Sequence, residues 1–141
     1  MKKGLEIHPF DPKKSTSFKE PPQGKKHWVK ISFGSGKIRG YFVEDRVTLG
    51  SPTEVANQLA VPNWTFGMVV DHTVFNGKFD ALVGMAYPQF AEKGVTPLFD
   101  GLMQSGQLAK NVFSWYLSYN PDEESEILLG GWDTNRFTGD I

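Results

Sequence analysis

The chain has 141 residues, 39% of them hydrophobic and 22% charged, with a formal net charge of −1, which is the composition of one ordinary globular domain. Its longest uncharged apolar stretch, residues 61–70, is broken by Pro62 and Asn63 and falls short of the roughly 20 residues of a membrane helix, while Glu6, His8 and Pro9 stand where a secretory signal needs an apolar run. The absence of cysteine excludes a disulfide framework, thiolate zinc sites and a cysteine nucleophile, and the three histidines, His8, His27 and His72, are too scattered to suggest a metal site.

Charge is unevenly placed along the chain. Residues 1–40 carry a net +7 and residues 41–141 a net −8. The lysines come in pairs (Lys2-Lys3, Lys13-Lys14, Lys25-Lys26) without interleaved aromatics, so they are expected on loops and strand edges and not on a nucleic-acid surface. Fifteen glycines and nine prolines cut the sequence into short pieces rich in Val, Ile, Phe, Tyr and Trp, the pattern of an all-β fold. Residues 27–33 alternate, Gly34-Ser35-Gly36 makes a turn, and residues 37–43 resume, which predicts a hairpin over about 27–43. Further strands are expected at 46–49, 65–70, 81–83, 112–117 and 126–129. A short helix is signalled where Thr96 and Pro97 precede the apolar stripe Leu98, Phe99, Leu102 and Met103, with Gly106 to end it. Ser51-Pro52-Thr53-Glu54 fits a capping box, a second helix start.

Several stretches, taken together, resemble one family. Phe10-Asp11-Pro12 with Ser15-Thr16-Ser17-Phe18, the segment 31–40, Glu44-Asp45-Arg46-Val47-Thr48-Leu49-Gly50, Phe79-Asp80-Ala81-Leu82-Val83-Gly84-Met85-Ala86-Tyr87-Pro88, Thr96-Pro97-Leu98-Phe99-Asp100, Val112-Phe113-Ser114-Trp115-Tyr116-Leu117 and Glu126-Ile127-Leu128-Leu129-Gly130-Gly131-Trp132-Asp133 are similar to the pepsin-like aspartic endopeptidases (peptidase family A1), in that family's order and spacing. The resemblance implies an all-β fold: a pepsin-like acid protease barrel lobe, residues 1–141 forming part of the N-terminal lobe, with one or two short helices. It also implies that residues 53–59 are extended and not helical, since the family has a strand and the phrase Asn-Gln-x-Phe-Gly after the Gly50 turn.

The family's chemistry needs two aspartates sharing one proton, because neighbouring like charges do not both ionise easily. Each lies in Asp-Thr/Ser-Gly, and no such motif occurs here; Asp133-Thr134-Asn135 lacks the glycine, and Asp80 and Asp100 match non-catalytic places in the family pattern. The resemblance therefore implies an aspartic-type endopeptidase with apolar cleavage preference and acid pH, of which these residues are a fragment with no catalytic residue and no activity of its own. The alternative is a non-catalytic peptide-binding or regulatory pepsin-like protein.

Phe33, Gly34, Ser35 and Gly36 match the flap that covers the substrate, with Phe33 where the family usually has tyrosine. Val74, Phe75, Phe79 and Leu82 match neighbours of the pocket wall, though core packing is an equal reading for each. Leu82-Val83-Gly84 matches a supporting element behind the catalytic loop. The implied partners are an extended peptide or protein substrate and the missing remainder of the peptidase fold, with no metal, no cofactor, no nucleic acid and no membrane. The implied location is secreted, lysosomal or vacuolar. With part of the lobe missing, Val29, Ile31 and Val83 are expected to face water.

Overall fold

The computed structural model describes residues 8–21, 24–34, 36–73 and 79–141. They fall into two compact units, Met1–Gly101 and Leu102–Ile141.

In the first unit, alternation in β1 (Trp28–Phe33) sends Val29, Ile31 and Phe33 to one face and Trp28, Lys30 and Ser32 to the other. The chain reverses and β2 (Gly36–Leu49) pairs antiparallel with it, Trp28 opposite Tyr41, Lys30 opposite Arg39 and Phe33 opposite Gly36. The expected hairpin is present, and β2 runs on without interruption through the strand expected at 46–49. A third strand, β3 (Leu59–His72), pairs with the other side of β2 to give the order β1-β2-β3.

Two irregularities shape this sheet. The register steps from Val47 opposite Val61 to Asp45 opposite Trp64, so Pro62 and Asn63 together face Arg46. A bulge is where a strand accepts a proline, which has no N–H to give the ladder, and Asn63 takes the left-handed conformation (φ 53°). The second shift falls between Arg39 and Gly40. There a Cβ on residue 40 would run into the carbonyl of Met68, so only glycine fits.

Burial follows the bulges. Tyr41, Val43 and Asp45, alternate residues of β2, are buried on one face. The segment before β1 supplies part of their cover: Phe10 packs edge-on against Phe66 at 5.4 Å and tilted against Phe18 at 5.9 Å, and Lys19 forms a bridge with Glu44. Ala60, Val61, Leu98 and Phe99 are also buried, with Val61 against Gly101. The helix α1 (Leu98–Ser105) forms where its stripe predicts and stops at Gly106, whose φ is 68°.

The strand expected at 65–70 begins earlier, at Leu59, and the structure differs from expectation in three other places. Residues 55–57 form a 3-10 turn (Val55–Asn57), neither extended nor an α-helical start; the Ser51 hydroxyl accepts from the Thr53 amide at 3.3 Å, so the serine closes a local turn instead of capping a helix. Residues 81–83 form no strand and have no ladder partner among the described residues. Val29 is buried and Ile31 half-buried, since the sheet and its neighbours cover them, whereas Val83 is 48% exposed as expected.

The second unit pairs β4 (Phe113–Tyr116) with β5 (Glu126–Leu129), Phe113 opposite Leu129 and Tyr116 opposite Glu126. Arg136 ties its loops: it donates to Glu123 at 2.7 Å, lies 3.6 Å from Glu126 and stacks 4.0 Å over the Tyr116 ring. Lys110 lies 4.0 Å over the Trp132 ring.

Candidate functional site

The apolar face of the hairpin roofs a cavity of about 830 Å³ within the first unit. Val29, Ile31, Phe33, Ile38 and Phe42 line it from β1 and β2, Phe66 and Met68 from β3, and Phe79, Leu82 and Val83 from the segment after it. Period-2 alternation puts Val29, Ile31, Phe33, Ile38 and Phe42 on one face, so the pattern that predicts the hairpin also makes its underside apolar. Leu82 and Val83 are about half exposed within this wall, 51% and 48%. Asp80 and Glu92 are the carboxylates on the wall, and Asp80 accepts a hydrogen bond from the His8 amide at 2.9 Å.

The hairpin tip is fastened on one side. Thr73 donates its amide to the Lys37 carbonyl at 2.9 Å, and its hydroxyl oxygen accepts from the Lys37 amide at 2.9 Å. A Cβ at Gly36 would lie 2.7 Å from that hydroxyl, so glycine is what lets the first residue of β2 close against Thr73. Phe33 ends β1 at 40% exposure and reaches the cavity, and Gly34 makes the turn. Ser35, Val74 and Phe75 lie outside the described residues. The structure thus brings Phe33, Gly36, Phe79 and Leu82 to one region.

The remaining aspartates of interest serve local structure. Asp133 accepts from the amide of Asn135 at 2.9 Å and from its side chain at 2.8 Å, capping a 3-10 turn. Asp100 sits in the first turn of α1, where a carboxylate complements the helix dipole.

Sequence reasoning passed over the buried carboxylate of this unit. Asp45 is 4% exposed and accepts from Ser15 Oγ at 2.9 Å, Ser17 Oγ at 2.5 Å and the Arg46 amide at 2.7 Å. Burial pushes its pKa up, but the two hydroxyls and the amide more than offset this and hold it below the ordinary aspartate value. A charged residue in the buried register of Tyr41 and Val43 was the signal that could have found it. Glu20 is also held below its ordinary value, chiefly by the hydrogen bond and charge of Lys26, 2.9 Å away.

The family model "Eukaryotic aspartyl protease" matches residues 3–141. Cathepsin D of Chionodraco hamatus is 40% identical over 116 residues, 79% of this chain and 28% of the relative. Cathepsin D of Gallus gallus is 36% identical over 139 residues, 95% of this chain and 32% of the relative. Pregnancy-associated glycoprotein 2 of Sus scrofa is 33% identical over 132 residues, 94% of this chain and 30% of the relative. The chain spans less than a third of the length of these relatives. With two small β-sheets, one short helix and 3-10 turns among the described residues, consistent with part of a pepsin-like lobe, and a family match over residues 3–141, the chain belongs to the pepsin-like aspartic protease family.

Proposed function

We propose that the parent protein is an aspartic-type endopeptidase that cuts protein substrates in acid, in a secreted, lysosomal or vacuolar setting, and that residues 1–141 form part of its N-terminal lobe. The observation that carries this reading is the apolar cavity roofed by a glycine-tipped hairpin, in a chain of this family. The hairpin acts as a flap through Phe33, Gly34, Ser35 and Gly36. Gly34 has open space where a side chain would stand, so the turn can bend there as a lid over an extended peptide and offer backbone hydrogen bonds to it. Phe33, Phe79 and Leu82 on the cavity wall, with Val74 and Phe75 by the family pattern, give the preference for bulky apolar residues beside the cleaved bond.

Hydrolysis in this family uses one ionised carboxylate to activate water and a protonated partner to polarise the scissile carbonyl. These residues contain no Asp-Thr/Ser-Gly, and Asp45, Asp80, Asp100 and Asp133 are held by local partners or a helix terminus. The role of this chain is therefore to cover and grip substrate, with the catalytic pair and the rest of the wall coming from the remainder of the fold. The half-exposed Leu82 and Val83 are consistent with a surface that further chain covers.

Two measurements test this. Full-length transcript sequencing should find Asp-Thr/Ser-Gly in frame in the parent; a complete transcript without it removes the endopeptidase reading. The 141-residue chain alone should cut no protein substrate at pH 3–5, and cleavage blocked by a transition-state-mimicking aspartic protease inhibitor would overturn the assignment of a non-catalytic part. The lack of the motif also favours a second reading, a non-catalytic peptide-binding or regulatory protein. It predicts that the chain retains an extended apolar peptide, seen by calorimetry, without cutting it.

A further inference from the structure

The hairpin has a second face that the cavity does not use. Lys30 stands directly opposite Arg39 and Ser32 opposite Lys37, all exposed. Like charges directly across a ladder are unfavourable, and among the described residues no carboxylate forms an ion pair with Lys30, Lys37 or Arg39. Arg39 lies over the Trp28 ring at 4.4 Å, which leaves its charge uncancelled. Asp71 faces Arg39 from β3 in register, and the two form no ion pair. The other local cation, Lys26, is engaged by Glu20 at 2.9 Å.

The same strand is also the sheet's edge. In the order β1-β2-β3, no described residue forms a ladder with the outer side of β1. Its two faces are chemically opposite: Val29, Ile31 and Phe33 on the cavity side, and Trp28, Lys30 and Ser32 beside Arg39 and Lys37 on the other.

We propose that the outer edge of β1 takes an extended peptide of alternating acidic and apolar residues as a fourth strand. Period 2 in the peptide matches period 2 in the edge, so its apolar side chains continue the cavity face while its carboxylates meet Lys30, Arg39 and Lys37. Backbone bonding along the six residues of β1 supplies the register, and the cations supply the choice of partner. Edge lysines repel basic strands and disfavour apolar ones, whose neighbours would bury the charge; an acidic alternating strand is the partner they admit. This site does not depend on the peptidase reading, because it uses the edge of β1 and not the hairpin tip.

The test is fluorescence anisotropy of a labelled Glu-Val-Glu-Val-Glu-Val-Glu peptide with the 141-residue chain at pH 7, where its glutamates are ionised. Saturable binding is expected. Lys30→Glu, at an exposed position, should weaken it about fivefold, the size of one lost and one reversed surface ion pair. A block peptide of four Glu then three Val, with the same composition, should bind at least tenfold more weakly. Two copies of the alternating peptide, N-methylated on one or the other set of alternate backbone nitrogens, should differ, one of them failing to bind. Equal binding of alternating and block peptides, or of both methylated forms, would overturn strand addition without needing any protein variant. Displacement of the peptide by heparin or single-stranded oligonucleotide at equal charge concentration would show a general polyanion surface and overturn the peptide assignment. The endopeptidase reading is tested separately, in acid and on apolar substrates, so either can fail alone.

Discussion

Replacing Asp45 by alanine should loosen the segment before β1 from the sheet. The carboxylate collects three hydrogen bonds, from Ser15, Ser17 and the Arg46 amide, and its neighbours in register, Tyr41 and Val43, are core. Bonds to an ionised group contribute roughly 1.5–3 kcal/mol each, but burying the carboxylate costs several kcal/mol, and the exposed Ser17 hydroxyl turns to water once its acceptor is gone. The balance is a loss of about 2–4 kcal/mol, read as a fall in the urea midpoint at pH 7 by circular dichroism. Asp45→Asn keeps one acceptor and should lose less. The pH dependence has a definite sign. The folded-state pKa of Asp45 is below its ordinary value of 3.8, so the unfolded chain binds the proton first and the ionised group stabilises the fold above that value. The advantage of the parent over Asp45→Asn should therefore be full near neutral pH and shrink as pH falls below about 4, through the folded-state value. An Asp45→Ala protein within about 0.5 kcal/mol of the parent at pH 7 would refute the reasoning, since the carboxylate would then be no more than a surface charge.

Three further outcomes are expected. Gly40→Ala puts a methyl into the Met68 carbonyl, a backbone atom that cannot turn aside, and should cost about 2–3 kcal/mol in the same urea experiment. Arg136→Gln removes the bond to Glu123 at 2.7 Å and the stack on Tyr116, so limited proteolysis should cut the 117–125 loop sooner; the parent's protection should weaken in high salt, because the partners are partly exposed. An anionic naphthalene dye should bind the apolar cavity and fluoresce, and Leu82→Asp should reduce that signal severalfold while changing stability by less than about 1 kcal/mol, because Leu82 is half exposed.

The sequence shows the hairpin, α1 and the separate strands β4 and β5 through short-range signals: alternation on both sides of Gly34-Ser35-Gly36, an apolar stripe behind Thr96-Pro97, and β-branched and aromatic runs. The first half of β3 stays hidden because Pro62 and Asn63 read as a break. In the sheet the break is absorbed by a bulge opposite Arg46, and pairing resumes at Val61. Residues 81–83 show the reverse failure. Their composition is that of a strand, but composition does not bring a segment alongside another, and no described residue pairs with them in a ladder.

The site divides along the same line. The family resemblance puts Phe33 on the flap and Phe79 and Leu82 by the pocket wall, and in the structure all three line one cavity, although Phe33 and Leu82 are 49 positions apart. What holds the surrounding sheet was not legible in that way. Asp45 depends on Ser15 and Ser17, about 30 residues earlier, and Gly36 depends on Thr73, 37 residues later; each pairing is a contact between segments with no shared periodicity. The two kinds of residue also respond differently to change. A half-exposed wall residue such as Leu82 can be altered at small cost, so binding and stability there separate, whereas Asp45, Gly40 and Gly36 are fixed by atoms that leave no room or no other partner. Variation at Phe33, 40% exposed at the end of β1, belongs to the first kind: Phe33→Tyr adds a hydroxyl where water reaches it, so the fold should tolerate it, and any effect would appear in how the hairpin meets a peptide.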